Sequence, residues 1–77
     1  MVKPTRITNS IRALRFARGE MTQARLAELI GVTRQTVIAI EQGRYSPSLE
    51  MAFRIARVFG VPLEEVFQYP DPPDEPT

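Results

Sequence analysis

Thr22–Gly43, TQARLAELIGVTRQTVIAIEQG, is the stretch on which the reading of this chain turns. It reads as two short helices joined by a tight turn. Thr22 suits the cap of a helix running to about Ile30, with Leu26, Ala27 and Ile30 on its inward face. Gly31 supplies permissive backbone for the turn, and Val32 fills the space beneath it. Thr33 caps a second helix running to about Gln42, which Gly43 stops. Val37 and Ile40 point inward.

That inward pair fixes what the second helix shows to solvent. At about 100° per residue, Gln35, Ile38, Ala39 and Gln42 point away from the core, and Arg34 flanks them at the helix start. A solvent face in a small domain is usually loaded with Glu and Lys. This one has no acid, and its first turn reads Arg-Gln-Thr. Such side chains suit base edges. Arg grips guanine O6 and N7, Gln grips adenine N6 and N7, Thr donates or accepts, and Ala or Ile packs on a thymine methyl. The base-reading set is therefore Arg34, Gln35, Thr36, Ile38 and Ala39. At the start of the first helix of the pair, the amides and short polar side chains of Thr22-Gln23 suit a phosphate.

Working outward, residues 1–8 form an N-terminal arm in which Pro4 disfavours helix. Val2, Thr5, Ile7 and Thr8 are good strand formers, so the arm is either frayed or one short edge strand. Asn9 or Ser10 caps a leading helix to about Arg18, with Ile11, Leu14 and Ala17 on one face and Gly19 closing it. Arg12, Arg15 and Arg18 repeat on the same spacing as a basic stripe. Solvation accounts for most of them, with Arg18, nearest the next helix, the candidate for phosphate contact.

After the loop Arg44–Pro47, Ser48 caps a fourth helix from about Leu49 to Phe59, closed by Gly60. Leu49, Ala52, Phe53, Ala56 and Phe59 read as one apolar stripe, and Met51, Ile55 and Val58 as a second, leaving only Glu50, Arg54 and Arg57 as a polar edge. A helix apolar nearly all round must be covered on both sides. Pro62 opens a short fifth helix to about Phe67, with Glu64 and Glu65 in its first turn, where the helix dipole favours anions. The tail 70–77, PDPPDEPT, is Pro-rich and acidic and reads as extended or disordered.

Composition bounds the rest. A chain of 77 residues is a single small domain that buries about 60% of its unfolded surface. With no Cys and no His it has no disulfide, no thiolate or imidazole metal site and no His general base. It also lacks a Gly-rich phosphate loop and opposed carboxylate pairs, so no enzyme activity, metal or cofactor is expected. No apolar run approaches the ~18 residues of a membrane span, and the first residues lack the apolar core of a signal peptide. A cytoplasmic location without membrane partners is the expectation. All ten Lys and Arg lie in residues 1–60 with four acids, a balance of +6, whereas 61–77 carries five acids and no base. A basic body with an acidic end is a pattern that polyanion-binding domains show.

Thr22–Gly43 resembles the helix-turn-helix of the Xre/Cro family of prokaryotic transcriptional regulators. The matching residues are Gln23, Ala27, Gly31, Val37, Ile40, Glu41 and Gly43. The likeness continues through Tyr45-Ser46-Pro47-Ser48-Leu49 and Ala56 to Pro62–Phe67. The resemblance spans about residues 9–69 and implies an all-α, λ-repressor-like bundle of five helices. It implies that Gln23 touches phosphate and buttresses the reading helix, and that the Arg44–Ser46 loop, Tyr45 included, lies along the DNA backbone. With Thr22, Thr33 and Gln42 these complete the expected phosphate set. Glu41 is structural, pairing with a backbone amide or a nearby Arg. The sequence departs from relatives at Gly19-Glu20-Met21, one residue longer than in many, and at Ile38, where relatives often carry a polar residue. A thymine-methyl contact is expected there.

One reading helix covers only a few base pairs, so regulators of this type usually bind as two-fold dimers. The second stripe of the fourth helix, with Val66, Phe67 and Tyr69, offers more apolar surface than the core needs. Met51, Ile55, Val58, Val66, Phe67 and Tyr69 are therefore the expected homodimer interface. A short antiparallel ribbon between Ile7 with its neighbours and Phe67–Tyr69 would lie beside it. The expected function is sequence-specific double-stranded DNA binding at a palindromic operator, as a repressor. The alternative is an antitoxin-like module that binds a partner protein through the last two helices.

Overall fold

Three hydroxyl caps set the helix starts. Thr22, Thr33 and Ser48 each accept a hydrogen bond from the backbone N–H three residues on, at Arg25, Thr36 and Met51. Each such cap stabilises a helix by about 1 kcal/mol. In the computed structural model, which describes residues 5–44 and 46–70, they open α2 (Gln23–Ile30), α3 (Arg34–Glu41) and α4 (Leu49–Phe59). These are preceded by β1 (Thr8–Asn9) and α1 (Ile11–Ala17), and followed by α5 (Leu63–Val66) and β2 (Phe67–Gln68). Gly31 and Gly60 end α2 and α4 in the left-handed conformation, with φ of 77° and 67°.

α1 starts differently. Ser10 contributes no side-chain cap. Asn9 takes that role: its Oδ1 accepts from the Ile11 N–H at 3.1 Å, while its Nδ2 donates to the carbonyls of Ile40 and Glu41. One carboxamide thus joins the start of α1 to the end of α3. The Ser10 N–H donates to the Val66 carbonyl at 2.8 Å, fastening α1 to α5. The connection after α1 turns through two consecutive left-handed residues, Gly19 (φ 71°) and Glu20 (φ 59°).

The core gathers Ile11, Leu26, Ala27, Ile30, Val37, Ile40, Ile55, Ala56, Phe59 and Val66 from all five helices. The segments before α1 and after α5 pair as the antiparallel ribbon β1–β2, with Thr8 opposite Gln68 and Asn9 opposite Phe67. Residues 1–4 of the arm, Tyr45 and residues 71–77 of the tail lie outside the described residues.

Two assignments made from periodicity are corrected. In α4 the buried residues are Ala52, Ile55, Ala56 and Phe59, a single stripe at i, i+3, i+4 and i+7. Leu49 (68% exposed) and Phe53 (50%) face solvent instead, and Ile55, placed on the second stripe, is 1% exposed. Ile55 and Val66 are therefore core residues with no surface to offer a second copy. Met51, Val58 and Phe67 are half-buried, and Tyr69 is exposed. In α1 the inward positions are Ile11, Leu14 and Arg15, and Ala17 is exposed. The reason is that Arg15 has an acid to meet across the fold.

Candidate nucleic-acid interface

Arg15 and Glu41 form a buried ion pair. Arg15 Nε donates to Glu41 Oε2 at 2.7 Å and Nη2 to Oε1 at 3.1 Å, while Nη1 donates to the Met21 carbonyl at 2.8 Å. Both side chains are about nine-tenths buried. Such a two-pronged pair in low dielectric fixes the angle between α1 and α3. Glu41 also accepts from Gln23 Nε2 at 3.3 Å. Gln23, at the start of α2, is thereby held against the end of α3, which is the buttressing geometry expected of it.

The consequence for α3 is electrostatic. Its one acid is turned into the fold and neutralised, so its outer surface carries no negative charge. Arg34, Gln35 and Gln42 are exposed, and Thr36, Ile38 and Ala39 are half-buried. The Thr33 and Thr36 hydroxyls lie 3.1 Å apart and share a hydrogen bond, stiffening the first turn of α3. Beyond α3, Arg44 and Ser46 are exposed, with Arg44 Nη1 3.4 Å from Gln42 Oε1.

An open depression of about 780 Å³ lies between α1, the start of α2 and α3. It brings together Thr22, Gln23, Arg34 and Gln42 from the expected contact set, and adds Arg12 and Phe16 from α1. Gln35, Thr36, Ile38 and Ala39 lie outside it, along α3. Arg18 does not turn toward α2. Its guanidinium donates to the Phe59 carbonyl at the end of α4, so its role is to close that helix, not to meet phosphate.

Sequence reasoning missed Arg15, because a basic stripe at three-residue spacing looks like solvation. The signal was present: Arg15 sits four residues after Ile11, on the inward side, and α3 offers one acid adjacent to inward Ile40. It also missed the exposed aromatic Phe16, 51% exposed beside the depression.

Two capped helices meeting at a glycine turn, the second with an acid-free outer face headed by Arg-Gln-Thr, define a helix-turn-helix of the DNA-binding kind. The helix-turn-helix family matches residues 11–66. An uncharacterized HTH-type transcriptional regulator of Methanocaldococcus jannaschii is 57% identical over 51 residues, covering 66% of this chain and 77% of the relative. The cryptic phage CTXphi transcriptional repressor RstR of Vibrio cholerae is 39% identical over 59 residues, covering 77% of this chain and 52% of RstR. A Bacteroides fragilis crystal structure superposes with a TM-score of 0.70 at 24% identity, covering 80% of this chain and 98% of that one, a likeness of fold. The chain belongs to the Xre/Cro-type helix-turn-helix family of DNA-binding transcriptional regulators.

Proposed function

We propose that this regulator is a cytoplasmic repressor that occupies a palindromic operator as a homodimer, with α3 in the major groove. The observation that carries the reading is the inward turn of Glu41 onto Arg15, which leaves Arg34, Gln35 and Thr36 at the head of a helix with no acid on its outer side. Arg34 and Gln35 read base edges, Thr36 and Ala39 follow the groove, and Ile38 packs on a thymine methyl. Thr22, Gln23, Thr33, Gln42, Arg44, Tyr45 and Ser46 set the register on phosphates. Repression by occupancy is supported by the repressor named among the relatives. Met51, Val58, Phe67 and Tyr69 join the copies, and the apolar groove that Ile7, Leu63, Phe67 and Tyr69 line supports that choice.

Selection of bound fragments from a random duplex pool tests the scheme. The expected product is a palindrome whose half-sites lie about one helical turn, ~34–36 Å, apart. No enrichment at low salt would overturn DNA reading. A monomer in sedimentation at tens of micromolar would overturn the dimer alone.

A further inference from the structure

The three arginines of α1 have separate fates. Arg15 is committed to Glu41 and the Met21 carbonyl, and Arg18 to the Phe59 carbonyl. Arg12 is exposed and makes no hydrogen bond or ion pair among the described residues. It is nonetheless not a loose surface charge. Its guanidinium carbon sits 5.6 Å from the centroid of the Phe16 ring, one helical turn on, and that ring also meets the Arg15 guanidinium at 5.9 Å. Stacking on an aromatic face restricts the rotamers of a long side chain, so less freedom is lost when it meets a ligand.

The place where Arg12 is held matters. It lines the same depression as Thr22, Gln23 and Arg34. In that depression Arg15 cancels Glu41, leaving Arg12 and Arg34 as two uncompensated cations without a free acid. Two like charges around one hollow repel, and an anion between them relieves the repulsion. We infer that Arg12, preset by Phe16, is a DNA-backbone contact supplied by α1. The strand that passes the start of α2 is then gripped from a third helix outside the two-helix reading unit. This rests on the duplex-binding reading above.

The test is salt-dependent binding of Arg12→Gln to the selected operator and to an unrelated duplex. A phosphate contact predicts a roughly three- to tenfold loss of affinity at about 0.1 M salt on both duplexes, and a slope of log K against log salt shallower by about 1. Phe16→Leu keeps the charge and loosens the guanidinium. It should give a smaller loss with the slope unchanged. Arg57→Gln, on α4 outside the depression, controls for net charge and should leave the slope unaltered. Arg12 has no polar partner to lose, only its stacking on Phe16, so the thermal midpoint of Arg12→Gln should fall by no more than a few degrees. If the parent binds both duplexes and Arg12→Gln keeps its slope, this assignment is wrong while the DNA reading stands. A changed base preference in Arg12→Gln would also overturn it. If the parent binds neither duplex at low salt, the DNA reading itself fails and takes this assignment with it.

Discussion

α3 and α4 are consecutive helices that pose opposite problems to the fold. α3 buries Val37 and Ile40 and has one other large apolar residue, half-buried Ile38, so its apolar side is narrow. α4 is apolar around most of its circumference, but at ~100° per residue Glu50, Arg54 and Arg57 share one edge of about 60°, and the buried Ala52, Ile55, Ala56 and Phe59 lie opposite it. What settles α4 is polar. Arg54 donates to the Ile30 carbonyl at the end of α2 at 3.3 Å, and Arg18 donates to the Phe59 carbonyl at the end of α4. Both tethers are compatible with the rotation that the polar edge selects, in which Ile55 is inward and Leu49 and Phe53, on one flank, are outside. The lesson is that a broadly apolar helix is oriented by its polar edge, and counting apolar stripes alone misplaces its core side.

The largest effect that would break this contrast is on the ion pair behind α3. Glu41→Gln leaves the guanidinium of buried Arg15 without its counter-charge, and should cost about 3–5 kcal/mol in urea unfolding. The double change Arg15→Met with Glu41→Leu should recover much of that loss. A single Glu41→Gln with parental stability would show that the pair does not set the α1–α3 angle. On α4, Ile55→Ala should cost about 2–4 kcal/mol by cavity formation, whereas Leu49→Ala should change stability by less than about 0.5 kcal/mol. The reverse order, read from thermal midpoints, would restore the two-stripe arrangement. On the reading face, Arg34→Ala should weaken operator binding by about 1–3 kcal/mol and relax preference at one base pair. Gln23→Ala should weaken all duplexes alike, and a shift in base preference would count against its phosphate role. The smallest effect is in the connection before α2. Glu20→Gly removes a side chain from the left-handed region (φ 59°) and should gain up to about 1 kcal/mol, read from the unfolding midpoint.

The legible parts of the fold share a range. Thr22, Thr33 and Ser48 act on amides three residues away, and Gly31 and Gly60 act on the turn they occupy, so all five could be named from the chain. The outer face of α3 was legible to the same extent: the exposure of Gln35 and Gln42 follows from inward Val37 and Ile40 by rotation alone, whereas Ile38 and Ala39 are half-buried. The illegible parts involve partners that no local pattern pairs. Arg15 meets Glu41 across 26 positions, and Arg18 meets Phe59 across 41. Read along the chain, these arginines and Arg12 form one basic stripe with only the spacing of Arg15 from Ile11 to set it apart, and the packed bundle distinguishes a buried strut, a helix closure and a free cation held over Phe16.

By itself, then, the sequence determined where α2, α3 and α4 begin, the glycine stops of α2 and α4, the turn between α2 and α3, and the acid-free face that α3 turns outward. These depend on backbone hydrogen bonding and helical period, which act within one or two turns. Tertiary structure alone decided which flank of α4 is left exposed, where the charge of Glu41 goes, and which arginine of α1 stays uncommitted. Those outcomes depend on which distant carbonyls and carboxylates come within hydrogen-bonding reach, and that is set only when the helices have packed.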